Sequence, residues 1–185
     1  MTLPAKNKTI SSRYILITFI AVAASWVLHE FAHWVAGELL GYEMGMSLNK
    51  TFPVGGSYTN AWHYQVISAA GPVFTLIEAL IVFFIMQRKK IIVLYPFLFT
   101  SFYMRLFAAV ISILNPNDEA RISKAIGLGT YTLPIIMVAI LSFLVYKISV
   151  KYHFSRKFSL INLGLVVLFS SVIILTDQYF HIRLL

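Results

Sequence analysis

Long apolar runs separated by short polar segments dominate the chain. Five runs are long enough, or nearly so, to cross a bilayer as helices, which takes roughly 20 residues; they cover residues 14–35, 66–86, 91–114, 131–146 and 158–175. Because lipid offers backbone groups no hydrogen-bond partners, each run is predicted to be an α-helix. The runs are continuously apolar and lack the alternation of a membrane barrel. The pattern therefore predicts an all-α, polytopic membrane protein with about five transmembrane helices.

Composition narrows the class of protein further. Hydrophobic residues make up 59% of the 185 positions and charged residues 12%, whereas a soluble domain has about 45–50% and about 25%. A water-soluble globule therefore fits poorly, and an aromatic content of 15% excludes intrinsic disorder. The lack of cysteine excludes a disulfide scaffold and any thiolate metal site. With no repeat or long linker, residues 1–185 are interpreted as one membrane domain.

The basic residues predict the orientation in the membrane. The net charge is +8, but the cations lie in short clusters between apolar runs, which favours lipid headgroups over nucleic acid as their partner. Three clusters fall on one side of an alternating five-helix chain: Lys6, Lys8 and Arg13; Arg88, Lys89 and Lys90; Lys147, Lys151, Arg156 and Lys157. The other side carries only Lys50, Arg121, Lys124 and Arg183. The positive-inside rule then predicts a cytoplasmic N-terminus and an outer C-terminus.

A cleaved signal peptide is the alternative interpretation of the first apolar run. Ala21-Val22-Ala23 resembles a small-residue cleavage site. Because apolar character continues past that point through residues 26–28, we favour a membrane helix that is retained.

Three ionisable side chains lie within one turn of the first predicted helix. His29-Glu30-Phe31-Ala32-His33 has the H-E-x-x-H pattern, and on a helix residues four apart share a face. This spacing lets two imidazoles bind one zinc ion, while Glu30 can take a proton from a water at the metal. The alternative is a pair of interfacial histidines, but ionisable groups inside a membrane are costly and usually functional.

Two histidines do not complete a catalytic zinc site, which needs three protein ligands. Asp118 and Glu119 stand just after the third apolar run, in Asn115-Pro116-Asn117-Asp118-Glu119. In the five-helix arrangement they lie toward the outer side, at a depth similar to that of the two histidines. Taken alone, this segment would be an ordinary turn with solvated acids; beside an incomplete zinc site, its acids become candidate ligands.

These residues together resemble the site-2 protease family of intramembrane zinc metallopeptidases. The motif at residues 29–33 is followed by Ala69-Ala70-Gly71-Pro72 and then by the Asn/Pro-rich segment at residues 115–118, in the family's order. The resemblance covers about residues 14–125, as a three-helix metallopeptidase core, and leaves two additional helices in 126–185 outside it. It implies one Zn²⁺ per chain, held by His29, His33 and Asp118, with Glu30 as the base.

Two positions depart from the family pattern. Thr75 stands where the family often has Asn. The resemblance implies that a residue at this position stabilises an oxyanion, holds the substrate or supports the metal ligands. Glu119 stands where the family usually has Gly, so the third ligand is Asp118 or Glu119. Asp118 is favoured because it is shorter and because Asn115 and Asn117 could hydrogen bond to its carboxylate. Glu119 would then support the metal ligands or face solvent, with Arg121 or Lys124 as its partner. The family commonly holds zinc toward the cytoplasm, whereas the charges here predict the outer side.

Two further features bear on function. The segment 41–60 is rich in Gly and small polar residues, and it could dip toward the metal and supply water; the resemblance implies a substrate-pairing strand there, while a plain surface loop is the alternative. Glu78 and Arg105 are charges within predicted helices. Unpaired charge inside a membrane is expensive, so we expect them to pair with each other, or else to line the path to the metal.

The resulting expectation is a zinc metalloendopeptidase that cuts a peptide bond within or next to a transmembrane segment of a membrane protein. Its partners would be that substrate and the lipid bilayer, and no nucleic acid. Two alternatives stay open. One is a catalytically silent relative that binds membrane partners, and the other is a metal or ion transporter that uses the same ionisable groups.

Labelling of single introduced cysteines tests the topology cleanly, because the natural chain has none. We expect cysteines placed near Lys89 and Lys151 to react with reagent from the cytoplasm, and those near Ser57 and Lys124 from outside. The reverse pattern of labelling would contradict the orientation given by the charges.

Overall fold

A computed structural model describes residues 10–185, so Lys6 and Lys8 lie outside the described residues. The all-α prediction is confirmed: the described part contains six helices and one two-stranded sheet. In chain order the elements are α1 (Ser12–Leu39), β1 (Met44–Met46), β2 (Thr51–Pro53), α2 (Ala61–Arg88), α3 (Tyr95–Ile111), α4 (Asp118–Ala125), α5 (Thr132–Lys151) and α6 (Arg156–Phe180).

Five of these helices are long and apolar enough to cross a membrane, so the fold is compatible with that of a multi-pass membrane protein. They are α1, α2, α5, α6 and α3 together with the single helical turn Ile92–Leu94 that precedes it. Polar residues begin three of them: the side chains of Ser11, Asn60 and Ser155 accept a backbone N–H of the first turn. Helix α3 ends at Ile111, earlier than its apolar run, which extends to residue 114.

The basic clusters of the described residues lie at one end of the bundle. The hydroxyl of Tyr152 donates to the carbonyl of Lys89 at 2.7 Å, and Lys151 donates to the Gln87 side chain at 2.9 Å. Arg13 begins α1 at the same end, where the hydroxyl of the next residue, Tyr14, donates to Asn162 of α6. The alternating arrangement assumed for the charge analysis is therefore the arrangement of the fold.

Helix α1 is the central element of the bundle. It packs against α2, α3 and α6, and its Val22 is completely buried. Apolar side chains gain little free energy by moving from lipid to protein. Contacts between membrane helices therefore depend largely on small residues and on hydrogen bonds between polar ones. The indole of Trp26 accordingly donates to Ser170 of α6 at 3.1 Å.

The predicted pairing of Glu78 with Arg105 is wrong. Glu78 accepts hydrogen bonds from Ser25 of α1 at 2.9 Å and from Ser101 of α3 at 3.3 Å. Arg105 lies one helical turn beyond Ser101, toward the end of α3 from which the chain continues into α4, and it pairs there with Glu119. One turn along α3 therefore separates the two charges.

The segment predicted to dip toward the site forms a β-hairpin. Strands β1 and β2 are antiparallel, with Gly45 opposite Phe52. The outer edge of β1 is covered by residues 183–185, since Met46 exchanges backbone hydrogen bonds with Leu184 and Leu185. Asp177 of α6 fixes the hairpin further by accepting from the hydroxyl of Ser47 at 2.9 Å. The outer edge of β2 lies on the side of the hairpin opposite residues 183–185.

Candidate metal centre

Two imidazoles and one carboxylate meet where α1, α2 and α4 converge. His29 and His33 lie one turn apart on α1, are 3% and 6% exposed, and have their Nε2 atoms 3.2 Å from each other. Asp118, the first residue of α4, places its Oδ2 atom 3.5 Å from each Nε2. The structure therefore brings together the three residues that the sequence analysis proposed as ligands.

The hydrogen bonds behind the rings fix which nitrogen carries the proton. The Nδ1 atom of His33 lies 2.6 Å from the carbonyl of Ile67, which can only accept, so this Nδ1 is protonated. The Nδ1 atom of His29 lies 3.0 Å from the hydroxyl of Thr75, whose own hydrogen is donated to the carbonyl of Gly71. Thr75 must therefore accept from His29, and in the neutral rings both Nε2 atoms present lone pairs to the centre.

This arrangement suits a metal ion. Three lone-pair atoms that face one another at 3.2–3.5 Å repel unless a cation or proton lies among them. An ion held tetrahedrally at about 2.0–2.1 Å has ligand atoms about 3.3 Å apart, which is close to the observed spacing. Ligand type, spacing and the hydrogen bonds behind the rings thus all fit a small divalent cation.

Arg121 controls the orientation of Asp118. It donates from Nη2 to Oδ1 of Asp118 at 2.6 Å, which leaves Oδ2 pointing to the histidines. The guanidinium is itself held by Ser68 at 3.3 Å and lies over the ring of Tyr64. The contact with this guanidinium also favours the charged form of the Asp118 carboxyl group. The carboxylate is therefore ionised, as a metal ligand must be.

Gly71 lets the two helices come close enough for this geometry. A Cβ atom at this position of α2 would overlap the rings of both His29 and His33, including a contact of 2.7 Å with Nδ1 of His29. Pro72, which follows, has no N–H and leaves the carbonyl of Ser68 without its helical partner. The Ala-Gly-Pro segment therefore provides the surface on which the imidazoles lie.

Glu30 shares a cavity of about 560 Å³ with the three candidate ligands. Its side chain is 7% exposed, and Oε2 accepts from the hydroxyl of Thr51 at 3.0 Å. Thr51, Phe52 and Pro53 of β2 line the same cavity, so the hairpin borders the site. The segment 41–60 thus includes a strand beside the candidate centre.

The remaining predicted site residues occupy different surroundings. Thr75 is fully buried behind His29 and supports that ring. Asn117 lines the cavity and anchors α4 to α3, because its amide donates to the carbonyl of Ala108 at 3.2 Å. Asn115 is exposed on the turn and does not line the cavity. Glu119, 5% exposed, pairs with Arg105 at 3.1 Å, so its expected pairing with Arg121 or Lys124 is wrong.

Sequence reasoning missed the roles of three residues. Arg121 is expected from the sequence as a partner of Glu119, but it orients Asp118 instead. Arg105 is expected beside Glu78 but pairs with Glu119, and the contact of Thr51 with Glu30 is not predicted. The spacing of Asp118 and Arg121 by three residues could have indicated their contact, since residues i and i+3 are neighbours on a helix.

In comparisons with protein-family models, curated proteins and solved structures, nothing matches this chain.

Gly71→Ala tests the close helix approach. We expect the added methyl group to push the rings of His29 and His33 apart and lower metal affinity by at least tenfold. Gly164→Ala in α6 is the matched control, because a Cβ there meets nothing within 4 Å. Metal titration of both variants decides; equal affinity would contradict the role given to Gly71.

Asp118→Ala and Glu119→Ala separate the two adjacent acids. We expect Asp118→Ala to lose most metal binding, because it removes the only carboxylate oxygen beside both Nε2 atoms among the described residues. Glu119→Ala should keep most of the metal, although it leaves Arg105 unpaired and costs about 3–5 kcal/mol of stability. Metal content and thermal unfolding of the purified variants measure both effects. Loss of metal only from the Glu119 variant would reverse the assignment.

Proposed function

We propose that the chain is an intramembrane zinc metalloendopeptidase of the site-2 protease type. It hydrolyses a peptide bond within or next to a transmembrane segment of another membrane protein. The observation that carries this proposal is the convergence of His29, His33 and Asp118 with the carboxylate of Glu30 in one cavity within a bundle of apolar helices.

One zinc ion would be held by His29, His33 and Asp118. Two imidazoles and a carboxylate, with no cysteine in the chain, make a ligand set common at catalytic zinc sites. Bound zinc would polarise the carbonyl of the peptide to be cut and raise the acidity of the attacking water. Thr75 and the carbonyl of Ile67 keep the imidazoles in the required orientation, while Arg121 does the same for the carboxylate.

Glu30 moves the proton. It follows His29 directly on α1 and opens into the cavity, so its carboxylate can take the proton from the attacking water and pass it to the leaving amine. The hydroxyl of Thr51 holds Oε2 at 3.0 Å and restricts the rotamers of the carboxylate. The glutamate is therefore fixed in place before substrate arrives, which lowers the entropy cost of reaction.

The free edge of β2 supports an extended substrate. Lys50 accepts from the N–H of Ser47 and Val54 donates to the carbonyl of Glu43, the residues that flank β1, so by alternation the N–H and C=O of Thr51 point away from β1. The opposite edge of the hairpin is already covered by residues 183–185. A helical segment hides its carbonyls in its own hydrogen bonds, so a substrate that unwinds and pairs with Thr51 would expose a carbonyl beside Glu30.

Glu30→Gln is the direct test. In membranes that carry candidate membrane-protein substrates, we expect the variant to bind metal normally and to lose cleavage by a factor of 10² or more, since the base is gone while the ligands stay. Glu43→Gln is the matched control, because Glu43 is exposed in the connection before β1 and the charge change is the same. Product mapping by mass spectrometry gives the result.

The other functions give different results in the same experiment. A catalytically silent relative would produce no specific fragments in wild type, and Glu30→Gln would change nothing. A metal transporter would produce none either, but its metal flux into vesicles would fall in the variant. Either result would refute the peptidase.

A further inference from the structure

The guanidinium of Arg105 is a buried cation on the wall of the candidate site. It comes from the last two turns of α3, is 4% exposed and lines the cavity together with Glu30 and the three candidate ligands. A cation this deep is costly unless its donors are used. The acceptors of the Arg105 N–H groups therefore bear on the function of the site.

The protein itself uses only part of this group. Nη1 donates to Glu119 at 3.1 Å, and Nη2 lies 3.4 Å from Nε2 of His29. Among the described residues, the Nε–H of Arg105 has no hydrogen-bond partner. A guanidinium has five N–H donors, so most of them are left for another acceptor. A metal held by His29 would take the Nε2 lone pair, which frees Nη2 as well.

The neighbouring carboxylates hold Arg105 beside the candidate ligands and leave part of its N–H groups without an acceptor. Asp118 is engaged by Arg121 through Oδ1, and its Oδ2 stays 3.8 Å from Nη1 of Arg105, beyond a direct hydrogen bond. Glu119, buried next to Asp118 in the chain, supplies the counter-charge from the side of α4. The pair with Glu119 therefore fixes the guanidinium without closing off its remaining N–H groups.

From this geometry we propose that Arg105 binds the oxygen of the scissile carbonyl and the negative charge that develops on it during hydrolysis, with Glu119 as its positioning residue. The proposal rests on the peptidase function given above. Donors fixed in a water-poor site and aimed where charge develops are effective in catalysis, and a guanidinium is a strong donor to anionic oxygen. Arg121 cannot take this role while it holds Asp118 and Ser68.

Co²⁺-loaded protein and methylphosphonate, a small tetrahedral anion, provide a test that needs no substrate. Binding is followed through the visible spectrum of the metal, and imidazole serves as the neutral comparison ligand. We expect Arg105→Gln to weaken methylphosphonate about tenfold or more and to change imidazole affinity less than twofold. Arg105→Lys should lose less methylphosphonate affinity than Arg105→Gln, because lysine keeps the positive charge. Because Arg105→Gln leaves Glu119 unpaired, the double variant Arg105→Gln/Glu119→Gln repeats the measurement with both charges removed.

The possible results separate the two proposals. Normal Co²⁺ uptake with unchanged methylphosphonate affinity in both glutamine variants would overturn the role of Arg105 and leave the metal centre intact. An equal loss for imidazole and methylphosphonate would also overturn it, because Arg105 would then act only through the ligand geometry. Failure of the wild-type protein to take up Co²⁺ would instead refute the proposed function on which this inference depends.

Discussion

The close approach of α1 and α2 at Gly71 is the constraint on which the site depends. With no side chain at that position, both imidazoles lie directly against α2. There the hydroxyl of Thr75 and the carbonyl of Ile67 accept hydrogen bonds from their Nδ1–H groups. Both Nε2 lone pairs then point to one place, and α4 adds the carboxylate of Asp118. A single methyl group on α2 would disturb all of these contacts together.

The second organising feature is the separation of buried charges into matched pairs. Asp118 has Arg121 as its partner and Glu119 has Arg105, so two adjacent acids at the start of α4 serve different ends. The pair of Arg105 with Glu119 is buried and joins α3 to α4, and breaking such a pair costs about 3–5 kcal/mol, so it also holds α4 against α3. The hairpin borders the same site, because Thr51 of β2 donates to the carboxylate of Glu30 on α1.

Much of this organisation can be predicted from the sequence, since apolar run length and H-E-x-x-H spacing are local properties. The five helices long enough to cross a membrane and the shared face of His29 and His33 follow from them, whereas Asp118 is indicated by the family resemblance. The charge partners do not, because they depend on how far one helix is shifted along another. A shift of one turn on α3 gives Arg105 to Glu119 and leaves Glu78 to two serines. The supporting role of Thr75 likewise appears only once α2 faces α1.

The central claim is that the two histidines and Asp118 form a zinc centre inside this helix bundle. X-ray absorption at the zinc edge of the purified protein tests it most directly, combined with zinc content per chain. The account predicts one zinc per chain, with two imidazole nitrogens and carboxylate or water oxygens at about 2.0–2.1 Å and no sulfur. A protein that binds no zinc after metal loading, or whose zinc has no imidazole ligand, would contradict it.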